Sequence, residues 1–267
     1  MLAPHPEGTR PRLTDAMAAP QDGLPAKRAM DEALDALSTR LAALEDALGA
    51  EGTRALLVVL QGRDACGKDG TVRRVFGGLN PALATVASFK RPSVLELRHD
   101  YLWRVHQALP PRGTIGIFNR SHYEDVLTVR VHGLVPEAIW RRRYGHINDF
   151  ERMLGDEGTV IRKFFLHVSR EEQRRRLEER LADPAKNWKF EPGDLRERAR
   201  WDEYTAAYEE MLERCSTASA PWYIVPADRN KPRDFLVAEV VVDALERMAP
   251  RYPAADPEVL KLRGKLE

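Results

Sequence analysis

Cysteine is nearly missing from this chain: Cys66 and Cys215 are the only two among 267 residues. Two distant thiols cannot build a disulfide framework, and their scarcity suits a reducing cytoplasm. Long apolar runs are missing too. The longest clean one, Ala55 to Leu60, is far too short to cross a bilayer, which argues against a membrane role. The opening stretch MLAPHPEGTRPRLTDAMAAP lacks the apolar centre of a signal peptide. Glu7 and Asp15 interrupt the acid-poor character of a transit peptide. Net charge is close to absent, since 42 Lys and Arg face 41 Asp and Glu. No whole-molecule field therefore draws in nucleic acid, although local basic patches are allowed. No histidine pair has zinc-ligand spacing, and no nucleophile elbow marks a Ser-His-Asp hydrolase. What is present, 43% hydrophobic and 31% charged residues, is the balance of a soluble globular protein with enough chain to bury a core.

Three sections follow from the pattern along the chain. Residues 1–27, rich in Pro, Ala and charge, read as a flexible N-terminal extension. Residues 28–250 read as one domain, and 251–267 as a charged tail. A helix starts near Arg28, with Met30, Leu34, Leu37, Leu41, Leu44 and Leu48 on a narrow stripe. The stripe is expected to dock on the domain core; an oligomer contact is the alternative. Short apolar runs then alternate with helical stretches. The runs are Ala55–Leu60, Thr85–Phe89, Ile115–Asn119, Phe164–Val168 and Trp222–Val225. They read as strands buried on both faces. Helices are expected over about 67–78, 94–108, 136–154, 170–181 and 232–248. Alternating β and α gives an α/β fold, a parallel sheet with helices on both faces. Residues 182–216 interrupt the alternation with a Pro- and Gly-containing loop and a charged helix over about 195–214. This insertion suits a helical lid over an active site.

The most informative stretch is LLVVLQGRDACGKDGT, a strand followed by Gly62-x4-Gly67-Lys68 and then a helix. That spacing is a Walker A phosphate loop, or P-loop. Its glycines let backbone N–H groups wrap a phosphate, and the helix that follows adds further donors and its positive dipole end. Gly62, Arg63, Gly67, Lys68, Gly70 and Thr71 are the phosphate-cradle candidates. Two features depart from the usual loop. Asp69 stands where Ser or Thr normally follows the lysine, and Thr71 is wrongly spaced for a simple replacement. Asp64 places a carboxylate inside the loop, where it repels phosphate unless it shares a metal or acts on an acceptor phosphate.

The third strand, TIGIFNRSHYEDVL, ends in a dense polar cluster. Ligands of doubly wound sheets sit at such C-terminal strand ends. A Walker B strand normally ends in Asp; this one ends in Asn119, followed by Arg120, which reads as a phosphate contact. Glu124 and Asp125, with Asp64, are candidate metal ligands. His122 reads at least as well as a structural histidine as a ligand, and Tyr123 as packing. Lys90 and Arg91 after the second strand, with Arg63, Arg73 and Arg74, are further basic candidates for phosphate contact. For Arg73, Arg74 and Arg174–Arg176 a solvated helix face is an equal reading.

These motifs together, GRDACGKDG, SFKRPS, LWRVHQALP, IGIFNRSHYEDVLTVRVHGLVPE and WKF…WDEYTAAYEEML…APWYIVPADRNKPR, resemble the polyphosphate kinase 2 family over about residues 30–250. The resemblance implies a thymidylate-kinase-like P-loop core with a helical lid. It implies inorganic polyphosphate as phosphoryl donor and AMP or ADP as acceptor, with ATP formed reversibly and Mg2+ or Mn2+ required. It also implies a homo-oligomer, dimer or tetramer. The FNRSHYED form, with Asn119, resembles the branch that phosphorylates both nucleoside mono- and diphosphates, and so points to Asn119 and Glu124 at the nucleotide. The family's essential loop Asp, loop Lys and strand-end Arg map onto Asp64, Lys68 and Arg120. Its lid-proximal Arg maps onto Arg180, with Arg176 as the alternative. An ATP-dependent nucleoside or nucleotide kinase shares the P-loop and lid, but Asp64, Asp69 and Asn119–Arg120 argue against it. A non-enzymatic phosphate-binding protein would need neither Asp64 nor a lid.

Overall fold

In the computed structural model, which describes residues 1–262, the elements run α1 (Lys27–Glu51), β1 (Ala55–Gln61), α2 (Lys68–Phe76), β2 (Ala84–Ser88), α3 (Trp103–Gln107), β3 (Ile115–Asn119), α4 (Thr128–Val131), α5 (Glu137–Asp156), β4 (Thr159–His167), α6 (Arg170–Ala182), α7 (Pro192–Ala199), α8 (Trp201–Cys215), β5 (Trp222–Pro226), α9 (Asn230–Met248) and α10 (Pro257–Leu260). The five strands form one parallel sheet in the order β2-β3-β1-β4-β5. Of the expected tail, residues 263–267 lie outside the described residues.

The centre of the sheet follows directly from the Leu/Val run. Every residue of β1 is buried. Because successive side chains point to opposite faces, Leu56, Val58 and Leu60 enter one core layer with α1 and α9. Leu57 and Val59 enter the other, with α5 and α8. The stripe on α1 packs into the first layer: Met30, Leu34, Leu41, Leu44 and Leu48 share a cluster with Val237, Val241 and Leu245 of α9. The core thus takes up the stripe, with Leu37 partly buried at its margin.

Three elements differ from the sequence reading. β2 is an edge strand with Val86 52% exposed, not a strand buried on both faces. The helix expected over 94–108 is a short 3-10 turn at Glu96–Arg98 and then α3. β4 starts at Thr159, five residues before the apolar run, because Arg162 and Lys163 mask its first half. The N-terminal segment, expected to be loose over residues 1–27, is held against β5, α8 and the end of β4. His5 N–H donates to Trp222 O at 2.7 Å, which pairs part of an otherwise open edge. Further on, His167 Nε2 bonds Thr14 O at 2.9 Å, and Arg170 N–H donates to Asp15 at 3.2 Å. Among the described residues no helix is long and apolar enough to cross a membrane.

Candidate active site

The phosphate loop joins β1 to α2, and its shape depends on two glycines. Gly62 has φ 154°, and a Cβ there would meet Leu166 O at 2.7 Å and Cys66 Sγ at 2.8 Å. Gly67 has φ 103°, and a Cβ would fall 1.9 Å from Arg233 Nη1. Only glycine fits either position. Beneath the loop, Arg233 of α9 is buried. It donates to Asn230 Oδ1 (2.8 Å), Asp234 Oδ1 (2.9 Å) and Cys66 O (3.3 Å). Lys68 Nζ donates to the loop carbonyls of Gly62 (2.8 Å) and Arg63 (3.1 Å). From α6, Arg176 donates to Ala65 O (3.0 Å) and Ala227 O (2.7 Å), and Gln173 to Asp64 O (3.0 Å). The loop is thereby fixed through its carbonyls from three directions.

The end of β3 faces this loop. Arg120 has φ 62°, and its N–H donates to Leu60 O at 3.0 Å. Its guanidinium pairs with the Asp64 carboxylate. Burial works against the Arg120 charge, but Asp64 and then Glu124 outweigh it and raise the guanidinium pKa. Glu124 accepts from Gln61 Nε2 at 2.9 Å and from Thr128 Oγ1 at 2.5 Å. Asn119 Nδ2 donates to Asp69 Oδ1 at 2.7 Å. The departure at Asp69 in the phosphate loop and the departure at Asn119 in the Walker B strand therefore meet each other. An amide at β3's end can donate to the carboxylate of Asp69, where a second carboxylate would repel it.

Behind that strand end lies a buried polar group that sequence reasoning missed. Lys163 Nζ donates to Glu151 Oε2 (2.5 Å), Tyr123 Oη (2.7 Å) and Cys215 O (2.6 Å). Tyr123 Oη donates to Glu151 Oε1 at 2.8 Å, and His122 Nε2 lies 3.2 Å from the same oxygen. Lys163 and His122 are fully buried and Glu151 nearly so. Burial alone would raise the Glu151 pKa; Lys163 and His122 overcome it and hold the carboxyl below its ordinary value. The network anchors the segment that carries Asn119, Arg120 and Glu124. The one available signal was a lysine interrupting an apolar run.

The third wall is α7 with the start of α8. Arg180 at the end of α6 lies 3.6 Å from Asp194, and Arg198 donates to Gln173 Oε1 at 2.8 Å. Glu197 pairs with His132 at 2.9 Å and accepts from Tyr204 Oη at 2.5 Å. Together these walls enclose a cavity of about 350 Å³, lined by Asp64, Arg120, Glu124, Asp194 and Glu197 among others.

Of the expected site residues, Gly62, Arg63, Asp64, Arg91, Arg120 and Glu124 line this cavity, Lys68 is held on the loop carbonyls, and three turn their side chains elsewhere. Arg63 is turned into α8: its guanidinium lies 3.8 Å from the Trp201 ring and donates to Trp201 O (3.1 Å) and Thr205 Oγ1 (2.5 Å). Burial lowers its pKa to about 10. Arg63 therefore ties the loop to α8 instead of offering its charge to phosphate. Thr71 is buried, with its hydroxyl donating to Asp234 at 2.8 Å, so it does not replace the missing Ser or Thr. Asp125 does not line this cavity with Asp64; it is buried against Arg143 at 2.8 Å and borders the larger cavity. Gly70 sits on the exposed first turn of α2. Arg91 lines the cavity, and Lys90 lines the larger one beside it. Arg180 and Arg176 both border the site, but Arg176 touches the loop itself while Arg180 touches α7. Arg74 pairs with Asp35, and Arg174 and Arg175 pair along α6, as a solvated face does. No cluster of three or more His, Cys, Asp or Glu suited to a metal occurs among the described residues.

A parallel sheet in this order, with a phosphate loop after its central strand and a lysine, two arginines and a carboxylate around it, defines a P-loop kinase. The sequence comparisons narrow this further. The family model for Polyphosphate kinase 2 (PPK2) matches residues 25–253. A Meiothermus ruber protein named AMP/ADP-polyphosphate phosphotransferase is 56% identical over 227 residues, covering 85% of each chain. A Rhodopseudomonas palustris protein named ADP-polyphosphate phosphotransferase is 44% identical over 243 residues, covering 85% of this chain and 84% of that one. The crystal structure of polyphosphate kinase 2 from Arthrobacter aurescens superposes with a TM-score of 0.88 at 42% identity. It covers 91% of this chain and 87% of that one. The chain belongs to the polyphosphate kinase 2 family.

Proposed function

We propose that the protein transfers the terminal phosphoryl group of inorganic polyphosphate to ADP and to AMP, forming ATP in a reversible reaction. The observation that carries this reading is the meeting of Arg120 with Asp64 across a phosphate loop whose Asp69 is bonded to Asn119. All four depart from the ATP-dependent pattern, and the family resemblance singles out Asp64, Arg120 and Asn119 among them. The Meiothermus ruber relative is named for both acceptors.

The chemistry asked of the chain is positioning and charge neutralisation. The nucleophile is an existing phosphate oxygen, so no strong general base is needed. Lys68 and the amides of the loop hold the donor's terminal phosphate, and Arg120 faces the oxygens on which charge develops. Arg180 brings a further cation from the α7 side. The residues fit Mg2+ or Mn2+. Such ions keep several waters and bind through one or two carboxylates beside substrate phosphates, and Asp64 and Glu124 offer these at the cavity. When bound, the ion neutralises phosphate charge during transfer. Asp64 also orients Arg120. We further place the protein in the cytoplasm, in keeping with two buried free thiols, and as a dimer or tetramer.

The test follows AMP with polyphosphate and Mg2+ by 31P NMR, with no ATP added. ADP is expected first and ATP second, as polyphosphate shortens. ATP formed from supplied ADP with AMP left unchanged would remove AMP as an acceptor. No transfer to either would remove the reading.

A further inference from the structure

We infer that Arg63 is a positioning residue for the transfer, coupling the phosphate loop to α7 so that a phosphate seated on the loop sets where α7 stands. This coupling rests on the kinase reading and adds how the two walls of the cavity act together. Arg63 and Asp64 are consecutive in the loop, and each is tied to a different neighbour of α7. The Arg63 guanidinium lies 3.8 Å from the ring of Trp201, the first residue of α8. It donates to Trp201 O at 3.1 Å and to Thr205 Oγ1 at 2.5 Å. The Asp64 carbonyl accepts from Gln173 of α6 at 3.0 Å, and Gln173 Oε1 accepts in turn from Arg198 of α7 at 2.8 Å. One ring of contacts therefore runs from the loop through α6, α7 and the start of α8 and back to the loop.

Two features make this ring a coupling and not simple packing. α7 and α8 are separated by Arg200 alone, with φ −94° and ψ 28°. The end of α7 is therefore placed wherever Trp201 is held. Arg63 is buried, with the Tyr208 ring 5.5 Å from its guanidinium on the α8 side. A buried cation needs its hydrogen-bond acceptors and aromatic faces, so it stays with them when the loop shifts. The main chain of the same residue meets the catalytic lysine: Arg63 O accepts from Lys68 Nζ at 3.1 Å. A phosphate that draws Lys68 onto its own oxygens removes that bond and so acts on the residue whose side chain holds α8. Asp64, next along, pairs with Arg120. Residues 63 and 64 thus join the cations that neutralise the transferring phosphate to the wall opposite them. A ligand that changes one end of such a ring biases the other.

Hydrogen exchange read by mass spectrometry tests the coupling, with tripolyphosphate as the probe. In the unsubstituted protein, tripolyphosphate should slow exchange about fivefold or more both in the loop and in α7. Arg63→Met keeps the apolar stem and loses the charge and both bonds; there the loop should still be protected and α7 should not. Turnover should fall about tenfold in Arg63→Met and in Trp201→Leu, and no further in the double variant, because both break one contact. Thr205→Val has nearly the parent's shape and removes one bond. It should lose part of the α7 response and about threefold in turnover, which keeps the test decisive if Arg63→Met does not fold. No α7 response in the unsubstituted protein, an undiminished one in the variants, or losses that multiply in the double variant would overturn the coupling. Failure of the unsubstituted protein to form ATP from polyphosphate would sink the kinase reading alone, since the exchange response needs only a phosphate chain on the loop.

Discussion

The two sides of the smaller cavity are built on different principles. One side, the phosphate loop and the end of β3, is fixed from within. Arg233, Arg176 and Lys68 hold the loop, and the Lys163–Glu151 group, almost wholly buried, holds the strand end. The other side, α7, buries none of its residues and is held by Arg180–Asp194, Arg198–Gln173 and His132–Glu197. Removing one partner of a buried pair costs about 3–5 kcal/mol, whereas the half-buried pairs that hold α7 still reach water and contribute less. The wall that must present charge at a set position is therefore rigid. We propose that the α7 wall is the one that opens to substrates and products. Preorganised charge on a fixed wall is what phosphoryl transfer needs, because charge placed in advance requires no reorganisation at the moment of reaction.

Breaking the fixed wall at its reacting end should have the largest effect. Lys68→Ala and Arg120→Ala are each expected to lower turnover by about 10³-fold, roughly 4 kcal/mol, in protein that remains folded. A variant within about threefold of the parent would remove its residue from the mechanism. Breaking the same wall from behind tests stability instead. Lys163→Met leaves Glu151 buried without its cation and should cost about 3 kcal/mol or more in urea unfolding. A loss under about 1 kcal/mol would mean that the network does not anchor β3's end. The boundary between the walls is sharpened by two arginines. Arg180→Ala should lower turnover while changing stability by less than about 1 kcal/mol. Arg176→Ala should lower both, since it frees the carbonyls of Ala65 and Ala227. Equal activity in Arg180→Ala would move the essential role to Arg176.

The contrast between the walls also separates what could be read in advance from what could not. The fixed wall's front was legible: glycine spacing, a flanking strand and helix, and a polar cluster at a strand end are local signals. So was the alternation that gives the sheet, apart from its margins. β2 has the composition of a buried strand but lies at the edge, because strand order is set by packing that no single segment records. The first half of β4 was hidden because Lys163 is charged, and its partner Glu151 lies on α5. Side-chain direction was the other loss. Arg63, Thr71 and Asp125 sit within the right motifs, yet point to Trp201, Asp234 and Arg143. Asp69 and Asn119 looked like unrelated departures from two motifs; only their contact shows that they are paired.

The donor is the claim on which everything else depends. Purified protein with Mg2+, ADP and long-chain polyphosphate, free of ATP at the start, should form ATP, and EDTA should stop it. ATP in place of polyphosphate, offered to AMP or a nucleoside, should support far less transfer. Transfer from ATP with none from polyphosphate would contradict the account, leaving the phosphate loop correctly read and its donor misassigned.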